Sequence, residues 1–383
     1  MDIFYWSPFI SKVATVSSVI RSAESLIKYS KKNIKVSLID AIGEWEEYKN
    51  TIDPKIQIIK LNNKNYYNKL PRDSFLKSRF SYLIIFFLNF NKLKSLINKK
   101  KPNFLIIHLM TTLPIFLTLF LKSNTKIILR ISGLPKLNFF RYFFWKLFSN
   151  KIYKVTCPTV GTYNYLLEKK IFDEKKLHVL RDPAILLKDY TKKKFQKIKD
   201  LDFKKNKFIV GVGRLTKQKN FYLLVSAFNE ILKKYPDYLL IILGDGEQKL
   251  KILKLAKDLR IENKVYLVGH QENVYKYLIN ADCFILSSLW EDPGFVLLEA
   301  GLSNTPVISS NCPNGPEEIL NEGNNGYLFI NNNKNELIKK FEEFKKEDIV
   351  ELNKKKINLK KEIKKFTLYS HFNVLKKIIN LEN

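Results

Sequence analysis

The chain has 383 residues, enough for two domains, and 45% of them are hydrophobic, which supports a packed core and excludes a disordered chain. Its 67 Lys and Arg against 37 Asp and Glu leave a net charge of +30. Only eight of those cations are Arg, and there is no RNP motif or zinc-finger spacing, so base readout of a nucleic acid is poorly supplied.

Short β-rich runs alternate with helical stretches, the pattern of parallel sheets covered by helices on both faces. Met1 leads directly into the first strand, residues 2–6, without a basic leader, so no signal peptide is expected. A helix follows over about 12–29, then strands over 35–40, 56–61, 104–108, 126–131, 154–158 and 177–180. Between Asp73 and Glu168 there is no acid, against fifteen Lys and Arg, and this segment also holds the most apolar runs, 82–88, 104–121 and 139–148. Residues 1–200 carry net +24 and residues 201–383 net +6. Codon bias accounts for a general Lys excess, but it does not empty one segment of Asp and Glu. Basic side chains interleaved with Phe, Trp and Tyr suit an anionic membrane surface, with the rings at headgroup level. The 18 residues 104–121 approach the length of a membrane span. With His108, Thr111, Thr112 and Pro114 inside, they read as a buried strand, a turn at Leu113-Pro114 and a helix.

A stretch with nine Lys over 188–207 reads as a linker. The alternation then restarts, with strands over 208–212, 238–243, 265–268, 283–286, 306–309 and 327–329. A charged helix is expected over 337–366 and a last apolar helix over 372–379. The cysteines Cys157, Cys283 and Cys312 are far apart and lack CxxC spacing, so neither a disulfide framework nor a zinc site is expected, and a reducing cytosol is the simpler compartment.

Three segments concentrate unusual residues at strand ends. Gly211-Val-Gly213-Arg214 continues to Lys219: glycines let the backbone approach a ligand, and two cations can meet one anionic group. Thr216 replaces the third glycine of a dinucleotide fingerprint, so an NAD site is disfavoured, and a tight turn with solvated lysines is the bland alternative. Residues 287–301 run from a strand through Glu291 and a turn at Pro293-Gly294 into a helix, whose free amides at Phe295 and Val296 form an anion site. Glu299 falls one turn into that helix among Val296, Leu297 and Leu298, where a ribose diol would partner it; a surface charge is the alternative. The third segment, from Ser309 through Cys312, Gly315 and Glu317 to Ile319, is again strand, turn and short helix.

Together these segments, with the E-x7-E spacing from Glu291 to Glu299 and the EAG continuation, resemble the donor half of retaining GT-B glycosyltransferases of family GT4. The resemblance is strongest over 208–330. It implies an α/β fold of two doubly wound Rossmann-like domains facing a central cleft. An acceptor-binding domain is expected over 1–187, with the C-terminal helix 367–383 able to pack back on it, and a nucleotide-sugar domain over 208–366. Carried over, Arg214 and Lys219 would hold the donor diphosphate and Gly213, Gly294, Phe295 and Val296 would meet it through their backbone. Glu299 would bind the ribose, Glu291 the donor sugar, and Gly269-His270 the base. His108 is the candidate for the histidine that contacts the transferred sugar, and Arg130 a further cation facing the cleft. Ser7-Pro-Phe-Ile-Ser11 stands where the family carries a Gly-rich loop, leaving Ser11 as a weak candidate. No obligatory metal or other cofactor is implied; Asp200-Leu-Asp202 is a chance DxD match. The expected enzyme is cytoplasmic and peripheral on the inner face of the cell membrane. It would move a hexose or N-acetylhexosamine from a UDP-type donor to a glycan or lipid-linked glycan. The competing classes are a sugar-nucleotide-binding protein without turnover and a basic nucleic-acid-binding protein.

Overall fold

The computed structural model describes residues 1–11, 14–72, 74–198 and 207–381. The chain forms two compact units: Met1–Pro183 together with Phe366–Asn383, and Ala184–Lys365.

The first unit contains β1 (Asp2–Trp6), α1 (Ala14–Tyr29), β2 (Lys35–Asp40), β3 (Gln57–Lys60), α2 (Phe75–Lys100), β4 (Phe104–Ile107) and α3 (Thr112–Leu117). It continues with β5 (Lys126–Arg130), α4 (Phe139–Phe148), β6 (Ile152–Cys157), α5 (Val160–Glu168) and β7 (Leu177–Val179). Its seven parallel strands lie in the order β3-β2-β1-β4-β5-β6-β7. β4 is buried along its whole length, as expected of a strand covered on both faces. The segment 104–121 departs from its expected form. Pro114 does not make a turn but sits in the first turn of α3, where its missing N–H costs nothing.

The second unit contains α6 (Leu187–Lys193), β8 (Phe208–Val212), α7 (Phe221–Lys234), β9 (Leu239–Leu243), α8 (Lys249–Asp258), β10 (Val265–Gly269) and α9 (Tyr275–Leu278). There follow β11 (Cys283–Leu286), α10 (Phe295–Leu302), β12 (Val307–Ser310), α11 (Pro316–Ile319), β13 (Tyr327–Phe329), α12 (Lys334–Lys346) and α13 (Ile349–Ile363). The six parallel strands run β10-β9-β8-β11-β12-β13. Two expectations need correction. The Lys-rich linker begins as helix α6, although residues 199–206 lie outside the described ones. The single helix over 337–366 is two, because the Asp348 side chain accepts the Val350 N–H at 2.8 Å and starts a new helix there.

After α13 the chain returns to the first unit as α14 (Leu368–Ile378), which packs on α1. A buried hydrogen-bonded chain fixes it. His371 Nδ1 lies 2.7 Å from the Arg181 carbonyl, which can only accept, so Nδ1 carries the proton and Nε2 accepts from Ser22 Oγ at 2.8 Å. Tyr5 OH then donates to Ser22 Oγ at 3.0 Å. Burial holds the His371 pKa down to about 4, against the pull of the Arg181 carbonyl. A ring that is neutral in the fold and charges readily when unfolded stabilises the protein above pH 6.5, and that stability is lost as pH falls toward 4. Between pH 7 and pH 4 the wild type is expected to lose roughly 3 kcal/mol more than His371→Gln in urea denaturation. Equal pH dependence of the two proteins would contradict this linkage.

Candidate active site

β8 and β11 are neighbours at the point where the strand order of the second sheet reverses, the place where open α/β sheets bind ligands beyond the carboxyl ends of their strands. The two motif segments leave these two strands. Lys219 Nζ lies 2.6 Å from Glu291 Oε1, and both side chains are largely buried, 15% and 5% exposed. Ser288 Oγ donates to the same carboxylate oxygen. Three more bonds sew the segments together: Leu289 N–H to the Gln218 carbonyl at 2.8 Å, Gln218 Nε2 to the Trp290 carbonyl at 2.9 Å, and Ser287 Oγ to the Lys219 carbonyl at 2.9 Å.

The third segment leaves β12 and joins them. Glu291 N–H donates to the Pro313 carbonyl at 3.1 Å, and Ser310 Oγ to the Ser288 carbonyl at 2.6 Å. The turn before α10 contains a cis Asp292-Pro293 bond, and Asn314 Nδ2 donates to Asp292. Gly315 has to be glycine, since a Cβ there would fall 2.0 Å from the Pro293 carbonyl oxygen. Burial, reinforced by the Glu291 charge and opposed by a bond to Ser310, pushes the Cys312 thiol up to about 11, so it remains a thiol rather than a nucleophile.

Gly294 caps α10 in the left-handed conformation at φ 93°. The first intrahelical bond runs from Leu297 N–H to the Gly294 carbonyl at 2.9 Å, so the Phe295 and Val296 amides open the helix ahead of its ladder, at the end whose dipole favours negative charge. Glu299 lies half-buried one turn further on. Arg214, directly after β8, is exposed. Gly213, Arg214, Lys219, Glu291, Gly294, Phe295, Val296 and Glu299 thus all stand around one switch point.

Gly269 ends β10, and its carbonyl accepts the Gly244 N–H at 2.8 Å; His270 beyond it is exposed. This connection shows what the sequence reading missed. Gly244, after β9, would place a Cβ 1.9 Å from the Gly213 carbonyl oxygen, so the β8 and β9 ends approach each other only because Gly244 has no side chain. The signal was the Gly244-Asp245-Gly246 run at a strand end. Ser288, which donates to Glu291, and the 45% exposed Trp290 were not among the expected site residues.

The candidates of the first unit behave differently. Arg130 is not a free strand-end cation: it is 3% exposed, pairs with Asp182 and donates Nη1 to the Leu180 carbonyl at 2.6 Å. His108 is likewise buried and stacks on Tyr5 with ring centroids 6.1 Å apart. Burial, with Arg130 and His371 nearby, holds its pKa well below the usual range. It is a neutral interior side chain here, and neither ring nitrogen has a hydrogen-bond partner. Ser11 is exposed in the loop after β1. Among the described residues no group of three His, Cys, Asp or Glu is arranged to hold a metal ion.

The Lys219–Glu291 pair makes a direct prediction. Lys219→Met leaves a buried carboxylate without its cation and is expected to lower the unfolding free energy by about 3 kcal/mol. Adding Glu291→Gln should restore part of that loss. Strictly additive losses in a double-mutant cycle would show that the two side chains do not interact.

Residues 192–366 match the sequence model of the family described as Glycosyl transferases group 1. Over 118 residues the chain is 46% identical to an uncharacterized glycosyltransferase of Methanocaldococcus jannaschii, covering 31% of this chain and 29% of that protein. Over 133 residues it is 35% identical to the N-acetylgalactosamine-N,N'-diacetylbacillosaminyl-diphospho-undecaprenol 4-alpha-N-acetylgalactosaminyltransferase of Campylobacter jejuni, covering 35% of this chain and 36% of that protein. The chain therefore aligns with well under half the length of either relative. The crystal structure of Anabaena HepE in complex with UDP superposes over 100% of both chains with a TM-score of 0.74 at 14% identity, a likeness of fold. The chain thus carries a GT-B fold, and its residues 192–366 match the model of the Glycosyl transferases group 1 family.

Proposed function

We propose that the chain is a retaining glycosyltransferase of the GT4 type. It moves a hexose or N-acetylhexosamine from a UDP-linked donor to a lipid-linked glycan at the inner face of the membrane, in cell-surface polysaccharide synthesis. The observation that carries this reading is the convergence of Arg214, Lys219, the α10 amides and Glu299 at the switch point of the second sheet. Two further findings support it. HepE, whose fold is similar, was crystallised with UDP, and the Campylobacter relative is named for a diphospho-undecaprenol substrate.

In this reading Glu299 takes the ribose hydroxyls, Gly269 and His270 border the base, and the backbone at Gly213, Gly294, Phe295 and Val296 meets the diphosphate. The bond between the anomeric carbon and the phosphate oxygen breaks as the acceptor hydroxyl oxygen bonds to the same face of that carbon. The hydroxyl proton leaves with the diphosphate. Negative charge grows on the departing diphosphate, and Arg214 and Lys219 are the fixed cations that stabilise it. Lys219 is held for this task by Glu291, whose carboxylate edge also borders the donor sugar. The first unit receives the acceptor, with Ser11 at the edge of its first loop.

Because Arg214 is exposed, Arg214→Ala is expected to leave the unfolding transition in place while lowering kcat/KM about 100-fold. Glu299→Ala should raise the donor KM with a smaller change in kcat. A UDP-sugar panel read by nucleotide release measures both, and full activity in both variants would overturn the site. Since Arg214 and Lys219 carry the charge stabilisation, a chelator is expected to leave the rate unchanged. A chelator-sensitive rate restored by a divalent cation would contradict that assignment.

A further inference from the structure

α2 is apolar on two opposite faces. Ser81, Ile85, Asn89, Leu93 and Ile97, spaced by four, are buried against the first unit, and Asn89 is held by Asn62 Nδ2 at 2.9 Å. Leu76, Phe80, Leu83 and Phe87, spaced four, three and four apart, form a stripe on the far side of the helix. All four are exposed, Phe87 by 74%. α4 repeats the arrangement: Trp145 and Phe148 are buried, whereas Phe139, Phe140, Phe143 and Leu147 are exposed, Phe140 by 81%. Phe116 of α3 joins the two helices, its ring 6.1 Å from Phe86 and 6.4 Å from Phe148.

The charges between these rows are of one sign. Arg79 of α2 is exposed and lies 5.9 Å over the Tyr82 ring, and the half-buried Arg141 of α4 lies 5.8 Å over the Trp145 ring and donates Nη1 to the Lys136 carbonyl at 2.9 Å, while residues 74–167 contain no acid. A second copy of the chain would set the cations of α2 and α4 against their own kind. A bilayer with anionic lipids fits both halves of the pattern: rings enter the boundary of headgroups and acyl chains, and guanidinium groups meet phosphates. By length and composition Leu76–Lys100 is apolar enough to cross a membrane. Crossing would strip Ile85, Asn89 and Leu93 of their packing and polar partners, so the helix is suited to lie in the surface plane.

We propose that the exposed faces of α2 and α4 insert together into the surface of an anionic bilayer, with Arg79 and Arg141 on lipid phosphates. This deepens the membrane-surface reading given above and names the side chains that make the contact. The test is co-sedimentation of the full chain with phosphatidylcholine vesicles, with and without phosphatidylglycerol, and in parallel the thermal shift caused by UDP. Wild type is expected to partition about tenfold or more better onto the anionic vesicles. The variant Phe80→Ser/Phe87→Ser/Phe140→Ser/Leu147→Ser should lose about tenfold or more of that binding while keeping its UDP shift. Arg79→Gln/Arg141→Gln should lose the preference for anionic lipid. If the fourfold variant does not fold, the α2 pair and the α4 pair are measured separately against the same criteria. Undiminished binding of the serine variants, equal binding to both vesicles, or retention of wild type after alkaline carbonate washing would overturn the proposal. So would concentration-dependent self-association that the serine variants abolish without changing vesicle binding. Vesicle binding without any UDP shift would leave the proposal standing and count against the donor site instead.

Discussion

The Lys219–Glu291 ion pair holds together the two sides of the switch point, and the surrounding site depends on it. Placing both charges in a largely dry position costs desolvation that a bare Coulomb attraction does not reliably offset. Here the carboxylate also accepts the Ser288 hydroxyl, while Ser287 ties the Lys219 backbone to the β11 end. An ammonium carries three protons, and the carboxylate uses one of them. Lys219 is therefore fixed by one partner with capacity left to bind another. That is the form of preorganisation a phosphate site needs, because the cation does not have to be ordered when the ligand arrives.

Much of this frame was legible in the sequence, for identifiable reasons. Runs such as Leu239–Leu243 are continuously apolar because both faces of a parallel strand are covered, and each ends at a glycine or a polar turn. Other features depended on distances that no local pattern carries. Nothing local to Gly244 shows that the Gly213 carbonyl lies where its Cβ would be. Asp348 looked like one more charge in a long helix, although the same residue type is a good N-cap, and here it caps. The apolar run inside α2 concealed two stripes, since a helix that is apolar on opposite faces shows weak periodicity.

Arg130 and His108 illustrate a different limit. A cation or an imidazole at a strand end has the right type and the right position for substrate, and the sequence does not show whether the interior has already claimed it. In the first unit the interior has claimed Arg130, whereas the buried His108 ring keeps both nitrogens without a hydrogen-bond partner. Asp182 pairs with Arg130, and Glu44, accepting the Ala41 and Ile42 amides, is pushed well above the ordinary carboxyl range by burial and by Asp40. Arg130 and Glu44 thus serve the packing of this unit, whereas Lys219 and Glu291 of the second unit meet at its switch point.

The return of α14 to the first unit makes the second unit an insertion within the first. The bond between Ser22 and His371 joins positions 349 residues apart. A ribosome makes Ser22 early and His371 only after every strand of the second sheet has been synthesised. The second unit therefore has all its residues in hand while the first still lacks the helix that covers α1. The unit whose synthesis begins first is then the last to be complete, and the apolar face of α1 waits for a helix made after the whole second sheet.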